Sequence, residues 1–278
     1  IGYAMLEGRY AFQLRHKTLA FPHLPPAFDG LRILQLSDIH AGSFTSTDEF
    51  AAGIRLAQSQ EADLIVLTGD LVNNLVGEVS PVAEILAELN APMGKFAVLG
   101  NHDYGDYLQC ADPGAYRANR QAVQEAYREQ GYRLLMNEHL PLDRGSERIW
   151  LVGTENWGRH ITHNYGDLEA AVRGLPDDGR FRLLLSHDPT FWDDQALPHP
   201  QRFDLSLSGH THGMQFGLDF EGLRWSPIQY SYPRWADLYR EGDAYLYVNR
   251  GFGFSRFPGR LGVLPEIAVI TLRRGPAV

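Results

Sequence analysis

The chain is 278 residues long, with 44% apolar and 12% aromatic residues, enough for one large α/β core or two small ones and too apolar for a disordered polymer. A formal charge of −9 excludes a sequence-independent nucleic-acid binder, which needs a concentrated basic surface. A single cysteine, Cys110, excludes an intrachain disulfide and a cysteine-based zinc site, and it reads as a small packing residue.

The chain starts at Ile1 and not at Met, as expected of a trimmed or processed polypeptide. Residues 1–19 mix apolar side chains with Arg9, Arg15, His16 and Lys17, and hold no run of about 18 apolar residues that would span a membrane. Two readings fit them. One is the exit from an upstream membrane anchor, with basic residues beside a bilayer; the other is an amphipathic segment or strand packing on the domain. Phe21-Pro22-His23-Leu24-Pro25-Pro26 is extended, because each proline biases the preceding residue away from helix. Residues 1–30 are thus set apart as an N-terminal connector. From Leu31 strand and helix patterns alternate. Ser46 or Thr47 caps a helix carrying Phe50, Ile54, Leu56 and Ala57, with Glu49 in its first turn. Ser80-Pro81 opens a second helix whose Val82, Ile85, Leu86 and Leu89 recur at helical spacing. Residues 113–130 form a third helix stopped by Gly131, residues 133–142 and 148–152 are short strands around a turn, and residues 169–173 form a short helix. No repeat or low-complexity linker divides residues 31–273, which form one domain.

Five apolar runs share one ending. Residues 32–36 lead into Ser37-Asp38-Ile39-His40, 63–67 into Thr68-Gly69-Asp70, and 95–99 into Gly100-Asn101-His102-Asp103. Residues 181–185 lead into Ser186-His187-Asp188, and 204–207 into Ser208-Gly209-His210-Thr211-His212. Ligands of α/β folds bind beyond the carboxyl ends of strands, so these loops gather Asp38, His40, Asp70, Asn101, His187, His210 and His212 at one rim. Residues i and i+2 of an extended segment point the same way, which lets Asp38/His40 and His210/His212 each address one metal. Imidazoles with carboxylate and carboxamide suit Mn²⁺, Fe²⁺ or Zn²⁺ better than Mg²⁺ or Ca²⁺. Taken singly, each triplet is an ordinary loop, turn or cap. Their conjunction at five strand ends is not.

That ordered pattern (Asp-x-His, Gly-Asp, Gly-Asn-His-Asp, His, Gly-His-x-His) resembles the calcineurin-like metallophosphoesterase superfamily over about residues 31 to 273. The resemblance implies a four-layer αββα sandwich of two mixed sheets flanked by helices, with a dinuclear metal site at strand C-terminal ends. It implies one divalent ion on Asp38, His40, Asp70 and His212, and a second on Asp70, Asn101, His187 and His210. Two such cations, about 3.5–4 Å apart, would share a bridging hydroxide for in-line attack on phosphorus. His102 would stabilise the phosphoryl group or protonate the leaving oxygen, with Asp103 orienting its ring.

The stretches Leu24–Leu31 and Tyr247–Gly253, with Arg260 and Pro265-Glu266-Ile267, are similar to a bacterial membrane-associated subgroup. Some of its relatives cleave the pyrophosphate of UDP-2,3-diacylglucosamine. Two departures stand out: one well-known group of those enzymes has Arg where His102 stands, and the subgroup usually has Gly where Met214 stands. The expected substrate is a phosphate ester, nucleotide-linked or lipid-linked, and not a sequence-specific nucleic acid. Arg250, Phe252, Arg256 and Arg260 are the candidates to hold it, Tyr104 and Tyr107 to cap the metals, and Trp157 and Trp192 to form a wall. His139, His160, His163 and His199 read as surface or capping residues. The leading expectation is a phosphodiesterase or pyrophosphatase; the alternatives are a phosphomonoesterase or protein phosphatase and a non-catalytic scaffold, the last opposed by the intact ligand set.

Overall fold

The structure is a computed structural model that describes residues 2–108, 112–220 and 223–276; Cys110 lies outside the described residues. A short helix α1 (Gly2–Leu6) precedes β1 (Gln13–Phe21), β2 (Arg32–Leu36), α2 (Thr47–Gln58), β3 (Leu64–Thr68), α3 (Ala83–Ala87) and β4 (Lys95–Val98). Then come α4 (Pro113–Glu129), β5 (Tyr132–Leu134), β6 (Glu138–Arg144), β7 (Glu147–Gly153), α5 (Leu168–Ala171), β8 (Arg182–Leu185) and β9 (Leu205–Ser208). The chain closes with β10 (Leu218–Phe220), β11 (Leu223–Trp225), β12 (Asp237–Glu241), β13 (Ala244–Val248) and β14 (Glu266–Arg274).

Two mixed six-stranded sheets result, ordered β1-β14-β2-β3-β4-β5 and β12-β13-β9-β8-β7-β6. Alternation along each strand assigns its two faces to different cores. In β2 and β3, Ile33, Leu64 and Val66 face the second sheet, where they meet Leu151, Leu183, Leu185 and Leu207. Leu34, Leu36, Ile65 and Leu67 face the other way, onto Phe50 and Ile54 of α2, Leu86 of α3 and Val123 of α4. A third core packs Val152, Leu184 and Leu246 against Leu168 and Ala171 of α5 and Trp192. Helix, sheet, sheet and helix therefore form four layers, and the mixed α/β fold expected from the sequence is the one observed.

Local signals act as anticipated in α2, where Ser46 accepts from the Glu49 N–H, and in α4, where Pro113 occupies the first turn. Three expectations need correction. The reading of residues 1–19 as a strand packing on the domain holds, but the connector set apart over residues 1–30 does not: it contains β1, which runs parallel to β14 from Gln13↔Glu266 to Phe21↔Arg274. The helix expected from Ser80 is a 3₁₀ turn (Ser80–Val82) followed by the short α3. Residues 133–142 are not one strand: β5 pairs with β4, the chain crosses between sheets at Leu135-Met136-Asn137, and β6 pairs with β7. Asn137 takes φ 57° there and ties the crossing to Glu155, whose N–H it accepts at 3.0 Å. No helix among the described residues is long and apolar enough to cross a membrane.

Candidate metal centre

The parallel strands β2, β3 and β4 of the first sheet and β8 and β9 of the second end at the same rim. Asp38, His40, Asp70 and Asn101 come from the first set of loops, and His187, His210 and His212 from the second. Backbone hydrogen bonds sew the loops together: Asp38 N–H to Gly69 O at 2.9 Å, His40 N–H to Asp70 O at 3.0 Å, and Gly209 N–H to His187 O at 2.9 Å. Across the sheets the His210 N–H donates to Asp38 Oδ2 at 3.0 Å. Two glycines make the approach possible. A Cβ on Gly100 would overlap Asp70 Oδ1, and one on Gly209 would overlap Ser37 Oγ and Asp38 Oδ2.

Potential ligand atoms converge closely here. The ligating atoms of Asp38, His40 and His212 lie within 4.8 Å of one another, as do those of Asp70, His187 and His210, and those of His40, Asp70 and His102. His40 Nε2 is 3.0 Å from His212 Nε2, and His212 Nε2 is 3.3 Å from Asp38 Oδ1. The His187 Nδ1–H donates to Thr68 O at 2.6 Å, which in the neutral ring leaves a lone pair on Nε2. That lone pair faces Asp70 Oδ2 at 3.2 Å and Asn101 Oδ1 at 3.1 Å. Asp70 Oδ2 and Asn101 Oδ1 thus converge on the same nitrogen, and carboxylate, carboxamide and imidazole groups gathered this closely fit a metal. Asn101 is oriented for this: its Nδ2 donates to the Tyr107 hydroxyl at 2.9 Å, which turns Oδ1 toward His187 and His210.

Electrostatics divide the four rings. Burial pulls the His40 imidazole down to about 3, overriding Asp70, and also lowers His210 and His212, so these three rings are neutral. Burial disfavours charge on His187 as well, but the Asp70 carboxylate beside it outweighs burial and holds its pKa up at about 10. Asp70 itself is held well below the usual carboxylate range: burial opposes ionisation, and the His187 and His102 rings favour it more strongly.

His102 is half-buried, and its Nδ1–H donates to Asn73 O at 2.6 Å, leaving Nε2 for the cavity. Asp103 does not orient that ring. It is buried and accepts the N–H groups of Asp70 and Gly100 at 2.8 Å, of Leu71 at 2.9 Å, and the Tyr127 hydroxyl at 2.7 Å. The aspartate that follows the histidine in sequence thus clamps two ligand loops and does not line the cavity.

A cavity of about 460 Å³ opens over the donors, lined by Asp70, His102, His210 and His212 at its floor and by Met214, Ile228, Arg256 and Phe257 at its mouth. Of the four substrate candidates, only Arg256 reaches it. Arg250 is fully buried and ion-paired with Glu266 at 2.6 Å and Asp219 at 3.0 Å. Phe252 is buried and stacks on Phe12 at 4.6 Å. Arg260 is buried, donates to the carbonyls of Gly251 and Gly253, and sits 3.1 Å from His212 Nδ1. Tyr104 is buried and stacked on Tyr165 at 4.0 Å, so of the expected cap only Tyr107 lies at the mouth. Trp192 belongs to the core under the second sheet, and Trp157 packs against that core; neither lines this cavity. Sequence reasoning missed Tyr232, whose hydroxyl is 2.9 Å from His210 Nε2, and Asp188, 3.4 Å from the same atom. His160, read as a surface or capping residue, is exposed and also lines the cavity, where its ring meets Tyr232 edge to face at 5.2 Å. Ser-His-Asp contained the Asp188 signal; nothing local marks Tyr232.

A two-sheet α/β sandwich with His, Asp and Asn donors at the shared strand ends defines a metal-dependent hydrolase fold. The calcineurin-like phosphoesterase profile matches residues 31–214, and the chain belongs to that family. It is 32% identical over 275 residues to the uncharacterized metallophosphoesterase YkuE of Bacillus subtilis, covering 98% of this chain and 89% of that one. It is 28% identical over 264 residues to phosphodiesterase YaeI of Escherichia coli, covering 93% and 87%. It is also 28% identical over 279 residues to UDP-2,3-diacylglucosamine pyrophosphatase LpxG of Chlamydia muridarum, covering 84% and 80%.

Proposed function

We propose that the chain hydrolyses a phosphodiester or pyrophosphate bond with two divalent cations, Mn, Fe or Zn. One would be held by Asp38, His40, Asp70 and His212, and the other by Asp70, Asn101, His187 and His210. When bound, such a pair supplies Lewis-acid charge for the phosphoryl oxygens and activates water. The observation carrying this reading is the convergence of seven His, Asp and Asn side chains at one rim, of which Asp70, Asn101, His210 and His212 line an open cavity. His102, fixed through Nδ1 by Asn73 O, presents Nε2 to that floor and is placed to protonate the leaving oxygen. Arg256 at the mouth is placed to pair with a second phosphate oxygen.

Diester or pyrophosphate is favoured over monoester by the lining. A dianionic monoester calls for several cationic side chains, and Arg256 is the one arginine among the described lining residues. Met214, Ile161, Ile228 and Phe257 instead offer an apolar wall for the group on the far side of the phosphorus. The activities named for YaeI and LpxG support the same choice, and a nucleotide-linked or lipid-linked ester fits it.

The test is hydrolysis of bis(4-nitrophenyl) phosphate beside 4-nitrophenyl phosphate, on protein whose metal content has been counted. Diester turnover with about two metals per chain is the expected result. Preference for the monoester would overturn the bond assignment, and absence of bound metal after supplementation would overturn the whole reading.

A further inference from the structure

The hairpin of β10 and β11 is turned inside out. Its register pairs Leu218 with Trp225 and Asp219 with Arg224, and alternation puts the two pairs on opposite faces. The charged face lies against the protein at Asp219, while Arg224 stays exposed. Asp219 is bonded to Arg15 and to the buried Arg250, while Arg224 donates to Ala236 O at 2.7 Å and pairs with Asp237 at 3.4 Å. The apolar face points to solvent, with Leu218 42% and Leu223 53% exposed. Phe216, two residues before Leu218, shares that face, its ring 6.4 Å from Trp225. A solvated hairpin normally has the reverse polarity.

The apolar surface continues on both sides. The Gly217 N–H donates to Leu261 O at 3.0 Å, and the Arg260 N–H to Ala4 O at 3.0 Å, which seats α1 beside the hairpin. On α1, Leu6 is 73% exposed. In the other direction Met214 and Phe257 are exposed and also line the cavity, so the patch runs to the mouth over the candidate metal centre.

We propose that this face docks on the surface of a phospholipid bilayer, with Leu218, Leu223 and α1 entering the headgroup region. Two observations select that occupant. The exposed Arg256 guanidinium stands where patch and mouth meet, complementary to lipid phosphate. A rigid protein partner seated on Met214 and Phe257 would close the mouth, whereas a bilayer leaves the cavity facing a fluid layer of phosphate esters. What the mouth then meets rests on the phosphoester reading; the docking itself does not. Contact of this kind is peripheral, through apolar area inserted a few ångströms deep.

Co-sedimentation with phosphatidylcholine vesicles, with and without phosphatidylglycerol, tests it on the full chain and on the double variant Leu218→Ser/Leu223→Ser. Neither residue lines the cavity, so turnover of the soluble diester stays unchanged and reports that the variant is folded. The chain is expected to sediment with either vesicle, and the variant to partition about tenfold less. Equal sedimentation of both, or none of the chain at millimolar lipid, overturns the proposal. So does sedimentation velocity showing a dimer that the double substitution dissociates, which would make the face an interface between copies. Loss of diester turnover in a vesicle-binding chain counts against the proposed reaction alone.

Discussion

Asp103→Asn separates a positioning role from a catalytic one. The two carboxylate oxygens divide their work: Oδ2 accepts from Asp70 N–H, Gly100 N–H and the Tyr127 hydroxyl, and Oδ1 accepts from Leu71 N–H at 2.9 Å. An asparagine keeping its oxygen on the three-donor side turns its NH₂ against the Leu71 N–H, donor to donor. Three charge-assisted bonds become neutral ones, losing about 2 kcal/mol together, and one buried donor loses its acceptor at a cost of about 1–3 kcal/mol. The sum of about 3–5 kcal/mol is a large share of a typical stability of about 5–15 kcal/mol. At about 2–4 °C per kcal/mol for a domain near this size, the melting temperature should fall by roughly 6–20 °C. Because the clamp holds the Asp70 and Asn101 loops, metal affinity should fall with it. The assay is thermal unfolding of wild type and variant in chelator, followed by metal titration of each below the transition. A shift under about 3 °C with metal affinity intact would refute the clamp.

Four further outcomes are expected. His102→Ala should keep its metals by elemental analysis and lose about 10²–10⁴ in diester kcat; loss of metal would show that the ring is a ligand. After chelation, His187, raised from 6.5 to about 10, stabilises the fold fully below pH 6.5 and loses that contribution as pH rises through about 10. Metal binding near neutral pH should therefore release about one proton, read by calorimetry in buffers of different ionisation enthalpy, and zero release would contradict the protonated ring. Gly209→Ala, whose Cβ would overlap Ser37 and Asp38, should abolish metal binding, whereas Gly77→Ala, with open space around it, should not. Tyr232→Phe removes the hydroxyl 2.9 Å from His210 Nε2 and should weaken metal affinity about tenfold with little change in melting temperature.

What the sequence made legible was local. Each of β2, β3, β4, β8 and β9 is a short apolar run closed by small and polar residues, so its end, and the donor just beyond it, can be read from a dozen neighbours. What it hid depends on partners far along the chain. β1 is a strand because β14 lies beside it, some 250 residues later, and its exposed outer pattern alone resembles a connector. Arg250 and Arg260 look like anion binders within a basic, aromatic stretch. Glu266 and Asp219 claim the first, and the carbonyls of a folded-back loop claim the second. Asp103 follows His102, yet the 3₁₀ turn Asn101–Tyr104 sends the two side chains in different directions. Tyr232 lies in an irregular segment where neither period nor spacing singles it out.

The geometry of the donors explains why both sheets are needed. Asp38, His40, Asp70, His210 and His212 all have positive φ, between 46° and 73°. Asp and His tolerate this left-handed region better than most residues, but it still costs about 1 kcal/mol or more at each. Backbone turned this way lifts the side chain off the strand axis, so that residues leaving parallel strands point at a common centre. Four of these turns are fixed by bonds that do not involve a metal: Asp38 and His40 by the Gly69 and Asp70 carbonyls, Asp70 by Asp103, and His210 by Asp38. The last of these crosses from one sheet to the other, and Gln35 adds a second crossing, its Nε2 donating to Ser208 O at 2.9 Å. Neither sheet alone could hold its share of strained loops at this spacing. The sandwich between them, closed by Ile33, Val66, Leu183 and Leu207, is what makes the donor set rigid before any cation arrives.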